Sequence, residues 1–411
     1  MNRARGTEAW RWLRHALKWL ALGVGVALLA GTASAWFLLA LAWATETREA
    51  HRWLLALLPL AGFAVGWVYL HVGQPVEAGN NLLIDEVHDP RQVVPVRMAP
   101  LIFLSTVVSH LFGASVGREG TAVQMGGALA DQFTHVFRLR ADDRRILLMA
   151  GISAGFASVF GTPLAGAVFG LEVLAIGRLR HEALWPCVVA AVVADQVCTL
   201  WGVHHGVYSA GLLPALSVGT LGAAIVVGLL CGLVGMAFAR STHGLSAFMK
   251  QRVAYAPLRP MLGGIVLAGV IWGTDAWRYA GLSLPGLAQA FTEPLPWWDF
   301  ALKGLFTSFS LGVGFKGGEV TPLFYMGATL GNALAPLLHQ PFPWLAALGF
   351  VALFAGAANT PLACILMAME VFGVGIGAHA ALGCAMAYLA SGHAGIYKAQ
   401  RVEGSKYRWR R

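Results

Sequence analysis

Two stretches of this chain, about 200 residues apart, carry nearly the same pattern. Gly117-Arg118-Glu119-Gly120-Thr121 runs into Met125-Gly126, and Gly317-Gly318-Glu319-Val320-Thr321-Pro322 runs into Met326-Gly327. Each copy has an echo roughly 40 residues further on, in Gly161-Thr162-Pro163-Leu164-Ala165 and Asn359-Thr360-Pro361-Leu362-Ala363. Both echoes then reach a glutamate, Glu172 and Glu370. A duplication built from apolar segments broken by Gly and Pro, with a carboxylate at the breaks, is the signature of a membrane transporter whose site lies between two halves.

Composition agrees with a chain that lives in lipid. Of 411 residues 57% are hydrophobic and 12% charged, where a soluble domain has roughly a quarter charged. Val320 to Met369 holds no Asp, Glu, Lys or Arg, and neither does Ile146 to Leu171. A span takes about 20 apolar residues, and the whole chain predicts about ten passes, several of them short or broken. The expected class is an all-α polytopic membrane protein with inverted repeats of broken, tilted helices.

The formal charge of +9 does not point to nucleic acid. The cations gather in short junctions: Arg3 to Lys18, Arg138 to Arg145, Arg178 and Arg180, Arg240 to Arg259, and Lys398 to Arg411. Positive residues between apolar runs face the cytoplasm, which places both termini there and favours contact with anionic lipid. Arg3 to Lys18 followed by an uncharged run from Trp19 to Thr45 resembles a signal peptide, but the run is too long for one and reads as an uncleaved first helix. The five cysteines show no CxxC spacing and the histidines no HExxH. Neither a metal site nor a cofactor is expected, and no nucleophile–base set suggests an enzyme.

The expected organisation is a cytoplasmic N-terminus with the first helix in residues 1–52, a first membrane repeat in 53–208 and a second in 209–388. A pore segment and basic cytoplasmic tail occupy 389–411. Short, Gly-interrupted segments favour halves of opposite orientation, which aim half-helix ends at a central site.

A helix that begins inside the bilayer leaves its first N–H groups unpartnered and carries a partial positive charge there. Three segments read as such starts: Gly79-Asn80-Asn81-Leu82, Gly117 to Thr121, and Gly317 to Pro322. Converging on one point, they would hold an anion without any full positive charge. Glu119 is an ionisable group inside a long apolar region, hence a functional candidate by default. It can occupy the N–H cradle as an anion would and leave it when protonated; a salt bridge with Arg118 is the plainer alternative. Glu319 holds the matching place without an adjacent cation, and can hold or relay a proton or merely cap its helix. Glu172 and Glu370 read more as structural groups than as site residues. Thr121 and Thr321 can offer hydroxyls to an ion or cap their helices, and Tyr397, after Gly392-His393-Ala394-Gly395, carries a donor suited to an anion.

These residues resemble the CLC anion transporters, and within them the bacterial branch that exchanges fluoride for protons. Gly117 to Thr121 resembles the family segment G-[KR]-E-G-P, with threonine in place of proline. Gly79-Asn80-Asn81 stands where most members have G-S-G-I-P, and Gly314 to Pro322 where they have G-x-F-x-P. The fluoride branch carries G-R-E-G-T, G-N-N and G-G-E-V-T-P, as this chain does.

The resemblance implies a homodimer with one pathway per subunit in the bacterial inner membrane. It implies Glu119 as the gating glutamate, Asn80 in place of the central serine and Tyr397 as the pore tyrosine. Glu319 and Thr321 are expected to take part in fluoride and proton movement. Chloride–proton exchangers of the family have a glutamate where this chain has Val173, which shifts weight to Glu319. Fluoride is small and strongly hydrated, so replacing its water needs several close donors. The candidates are the amides of Asn80 and Asn81, the hydroxyls of Thr321 and Tyr397, and the backbone around Gly117, Arg118, Gly120, Thr121, Gly318 and Val320. Expected partners are fluoride, protons and lipid. The expected direction is fluoride out as protons enter. A chloride–proton exchanger or a passive anion channel of the same fold is the alternative.

Overall fold

The computed structural model describes the backbone of residues 2–407 and the side chains of residues 10–407. The side chains of Arg3 and Arg5 and the last four residues lie outside it, so the basic character read there belongs to the sequence alone.

The described residues are mostly helical. The first eight α-helices are α1 (Asn2–Ala50), α2 (Leu58–Val68), α3 (Asn80–His88), α4 (Met98–Leu111), α5 (Glu119–Phe137), α6 (Ala141–Phe160), α7 (Pro163–Glu172) and α8 (Leu184–Leu200). The second eight are α9 (Val218–Arg252), α10 (Leu258–Thr274), α11 (Leu284–Gln289), α12 (Asp299–Val313), α13 (Val320–Leu338), α14 (Phe342–Ala358), α15 (Pro361–Phe372) and α16 (Gly377–Ala390). Among the described residues, four helical stretches are long and apolar enough to cross a membrane, and six shorter apolar helices have 10–17 residues. Short helices of this kind are tolerated at membrane depth only where protein or a cavity satisfies their ends.

The two sets correspond in order and in punctuation. α6 ends on left-handed Gly161 and α14 on left-handed Asn359. A threonine outside helical geometry follows each, and Pro163 and Pro361 open α7 and α15, where a missing N–H costs nothing. α1 packs on α6 and α8 as α9 packs on α14 and α16. On this ground we group α1 with the first half, where the sequence alone set residues 1–52 apart. α1 contributes buried Trp19, Val26 and Ala27 to a core shared with Leu147, Ala150 and Ala190, so it is built into the bundle.

The halves are inverted. Gly117 and Gly318 form an isolated antiparallel bridge, with Gly117 N donating to Gly318 O at 2.5 Å and Gly318 N to Gly117 O at 2.8 Å. Each strand of this bridge leads within two residues into α5 or α13, so the helices leave it in opposite directions. Close packing supports both: a Cβ on Gly126 of α5 would sit 2.3 Å from Gly151 O of α6, and one on Gly327 of α13 2.1 Å from Gly349 O of α14. Small residues let the backbones meet this closely, which is how helices associate without a hydrophobic drive in lipid. The seam between the halves is aromatic, with Phe156 stacked on Phe169 at 4.1 Å and Phe324 on Phe350 at 4.0 Å. Phe169 and Phe354 meet across it at 6.0 Å.

Asp142 and Arg145, Arg180 and Arg401 line one pocket and so share a face. There the C-terminal segment forms a two-stranded parallel ribbon, β1 (Ala175–Ile176) with β2 (Arg401–Val402). Glu403 accepts from Arg178 and Arg180 at 2.8 and 2.9 Å, and the Arg178 bond holds its carboxyl below the usual carboxylate range. Lys18 meets Asp143 at 2.7 Å. We call this the tail face. It holds Tyr397 in place through the residues that follow it: Gln400 donates to Val173 O at 3.0 Å and Ala358 O at 3.1 Å.

Candidate functional site

The three expected helix starts do converge. Gly79 precedes α3 with φ 59° and ψ −128°, a region that a residue with a Cβ rarely enters, and this turns Asn80 toward the start of α5. A Cβ on Gly120 would lie 3.0 Å from Asn80 Nδ2, 3.2 Å from Gly318 Cα and 3.6 Å from Glu319 Oε2. Three polar elements therefore meet where only a glycine leaves room.

Glu119 is fully buried, and its carboxylate crosses to the other half. Thr321 N donates to Oε2 at 2.9 Å and Thr321 Oγ1 to Oε1 at 2.5 Å. Arg118 adds its backbone N to Oε2 and its Nε to Oε1, each at 3.2 Å. The salt bridge to Arg118 is thus present, but the shorter bonds come from the first turn of α13. A carboxylate capping a foreign helix start occupies the place an anion would take. Thr321 and Val320, both buried, form that turn.

Glu319 stands just before α13 and reaches back toward the start of α5. It lines a cavity of about 290 Å³ with Asn80, Asn81, Gln124, Tyr397, Lys316 and others, and among the described residues no side chain is hydrogen-bonded to it. Tyr397, 6% exposed, lines the same cavity, with its ring edge-on to Phe169 at 6.5 Å. Asn80 Oδ1 is buried without a partner among the described residues. The terminal amide turns readily, so the side chain can present either its oxygen or its N–H groups.

Other expected anion contacts have different employment. Thr121 Oγ1 is bonded to Thr106 Oγ1 at 2.8 Å and fastens α5 to α4. Asn81 Oδ1 accepts from Ala399 N at 2.9 Å and holds the tail segment. The N–H groups of Gly117 and Gly318 are taken by their mutual bridge, so these glycines shape the site through close approach rather than through donation. Pairing across some 200 residues leaves no register signal in local sequence, and hence no sign of that bridge.

Glu172 and Glu370 prove to be exchanged caps. Glu172, ending α7, accepts from Leu362 N and Ala363 N of α15 at 3.0 and 2.9 Å. Glu370, on α15, accepts from Leu164 N and Ala165 N of α7 at 2.8 and 2.9 Å. Their structural assignment fits: each satisfies helix donors that lipid would leave bare.

Sequence reasoning missed the clamp behind Glu119. Ser115 N donates to Ser310 Oγ at 3.1 Å, Ser115 Oγ meets Thr307 Oγ1 at 2.9 Å, and Lys303 Nζ donates to Ser115 Oγ at 3.0 Å. α12 thereby fixes the loop that carries Glu119. A lysine within an apolar helix, with small hydroxyl residues at the following turns, was the available signal.

Comparison with known proteins agrees with this geometry. The profile of the family described as "Voltage gated chloride channel" matches residues 61–392. A "Chloride/fluoride channel protein" of Pseudomonas syringae pv. tomato is 60% identical over 99% of this chain and 91% of its own length. The "H(+)/Cl(-) exchange transporter ClcA" of Vibrio cholerae is 28% identical, covering 85% of this chain and 81% of that one. The crystal structure of a CLC-type fluoride/proton antiporter superposes with a TM-score of 0.91 at 32% identity, over 94% of this chain and 98% of the other. The crossed glutamate, the meeting helix starts and the inverted halves thus sit in a known framework: this polytopic membrane protein belongs to the voltage gated chloride channel family, the CLC proteins.

Proposed function

We propose that the chain is a fluoride/proton antiporter that exports fluoride as protons enter, with Glu119 as its gate. The carrying observation is the bond set of Glu119, whose carboxylate is held by Thr321 N at 2.9 Å and Thr321 Oγ1 at 2.5 Å from the opposite half.

The mechanism follows from that geometry. A carboxylate and a small anion compete for the same donors. Protonating Glu119 removes the charge that holds it at the start of α13, so the side chain swings out and leaves Thr321 N and Oγ1 to fluoride. Return of Glu119 as a carboxylate expels the anion. Strict exchange needs a second group to bring or remove the proton, and Glu319, in the cavity with Asn80 and Tyr397, is in position. Asn80 and Tyr397 offer the polar contacts that replace fluoride's water on the cavity side. Two relatives bear on the anion: the 60% identical Pseudomonas protein named for chloride and fluoride and the antiporter structure named for fluoride and protons.

In this reading the tail face is cytoplasmic, the membrane is the bacterial inner membrane, and both termini lie inside, in keeping with the cations on that face. The functional unit is a homodimer with one pathway per subunit. α7, α8, α15 and α16 pack side by side and leave Leu164, Val192 and Leu362 exposed, an apolar surface for the second copy.

The test is simultaneous measurement of fluoride and proton flux in liposomes containing the purified chain. Uphill proton movement driven by a fluoride gradient supports the reading. Fluoride flux without proton movement makes the protein a passive channel, and faster chloride than fluoride exchange makes it a chloride/proton exchanger.

A further inference from the structure

The second half brings two lysines close to the pathway, and they differ in what surrounds them. Lys303 is fully buried, and Ser115 Oγ, Tyr279 O, Gly281 O and Ser283 Oγ all lie 2.7 to 3.2 Å from its Nζ, more acceptors than its N–H groups can fill. Its role is structural. Lys316, three residues before Glu319, is half-buried, and among the described residues its Nζ has neither a hydrogen bond nor an ion pair. Its ammonium rests over the Tyr69 ring, whose centroid lies 4.1 Å away.

The place of Lys316 is as telling as its lack of partners. It lines both the 290 Å³ cavity that holds Glu319, Asn80 and Tyr397 and an adjoining one of about 220 Å³ bounded by Gln74, Arg259 and Gly314. Lys316 and Tyr69 border both, together with Glu77, Lys250 and Phe315, and this group stands between the two chambers. The other charged groups that bear on Lys316 are Glu77 and Lys250, and both are exposed at the rim. A half-buried cation resting on an aromatic face, with exposed Glu77 as its neighbouring carboxylate and no ion pair among the described residues, has an open place for an anion. Holding the ammonium over Tyr69 also limits the freedom it loses when an anion arrives.

Resting on the exchanger reading, we infer that Lys316 is an anion-docking residue. Fluoride coming from the tail face pairs with its ammonium between the two chambers before passing to Asn80, Tyr397 and Glu319. The site takes a small, hard monovalent anion. Lys316 concentrates that anion beside the proton-bearing carboxylate without touching Glu119.

The test is fluoride–proton exchange by full-length Lys316→Met and Lys316→Arg in liposomes, with fluoride varied on the tail face. Lys316→Met raises the half-saturating fluoride concentration about tenfold at low ionic strength, and the gap to wild type narrows as an impermeant salt is added. The fluoride-to-proton ratio stays at the wild-type value, and Lys316→Arg keeps half-saturation within about twofold. Lys250→Gln or Lys398→Gln, at the exposed rim, changes it by less than about twofold. Unchanged half-saturation in Lys316→Met overturns the docking role, as does an equal loss in Lys316→Arg, which marks lost packing on Tyr69. Should the wild-type chain move chloride, or anions without protons, the parent reading fails; the wild-type to Lys316→Met comparison for whichever anion flows still decides the docking role.

Discussion

Glu119 and Glu319 occupy the same step of the two halves, each at a helix start and each leaning toward the helix start of the other. Their surroundings are opposite. Glu119 is fully buried with four donors on its two oxygens, while Glu319 faces a cavity and, among the described residues, no side chain is bonded to it. Duplication supplied one backbone frame twice, and the residues around it assigned two jobs. Two details make the difference. Arg118 stands beside Glu119 where Gly318 stands beside Glu319, and Thr321 reaches Glu119 whereas its counterpart Thr121 is turned to Thr106. On the proposed reading, a saturated carboxylate is held until protonation frees it, and an open one exchanges protons with the cavity.

The strongest way to break this comparison is to remove charge from either glutamate. Glu119→Gln keeps the size of the side chain but has no proton to give up, so proton flux coupled to fluoride falls on the order of a hundredfold. Wild-type proton flux in that variant removes Glu119 from the mechanism. Glu319→Gln slows exchange on the order of tenfold or abolishes it; wild-type turnover would return Glu319 to a capping role. If the two jobs are distinct, the variants also differ in kind. Glu119→Gln permits anion movement without protons, while Glu319→Gln stalls both.

Thr321→Val sharpens the point. It leaves the backbone N–H in place and deletes only the hydroxyl that meets Glu119 at 2.5 Å. A hydrogen bond to a charged group contributes about 1.5–3 kcal/mol, so Glu119 leaves its cradle more often and anions slip through uncoupled. The fluoride-to-proton ratio rises above the wild-type value. Thr121→Val, by contrast, loosens α4 against α5 and lowers thermal stability without moving that ratio. A shift in the ratio for Thr121→Val equal to that for Thr321→Val would erase the asymmetry.

How much of this was legible beforehand depends on whether the signal was local. The duplication, the membrane class and the candidacy of Glu119 rest on short strings such as Gly117 to Thr121, in which glycine, carboxylate and threonine act on their own neighbours. What no string could show is which partner a polar group meets across the halves. Asn80 and Asn81 read alike, yet α3 turns one toward Gly120 and the other toward Ala399. Lys303 and Lys316 are both lysines in apolar surroundings, yet only the fold saturates the first. The caps of Glu172 and Glu370 needed α7 and α15 to lie antiparallel, a fact of tertiary packing.

Those exchanged caps supply a milder test, since here the duplication did keep its symmetry. Each carboxylate accepts two N–H groups of the opposite helix. A glutamine retains one acceptor oxygen, so Glu172→Gln and Glu370→Gln each cost about 1 kcal/mol of stability, read as a lower unfolding temperature in detergent. The two losses match, and the fluoride-to-proton ratio is unchanged in both. Altered coupling in either would mean that a structural carboxylate also handles protons.

The smallest effect is expected where the saturated and open groups are adjacent in sequence. Asn81 Oδ1 holds Ala399 N at 2.9 Å, two residues beyond Tyr397, and so acts on the pathway through the placement of that tyrosine. Asn81→Ala removes the acceptor and loosens one tether among several, because Gln400 still binds Val173 O and Ala358 O. Half-saturating fluoride then rises about twofold, in keeping with the loss of roughly one ordinary hydrogen bond shared over several supports. Asn81→Asp keeps an oxygen in that place and restores the wild-type value, whereas Asn80→Asp sets a negative charge in the anion's own cavity and does not. If Asn81→Asp instead weakens fluoride as strongly as Asn80→Asp, then Asn81 meets the ion directly, and the division of labour within the pair is lost.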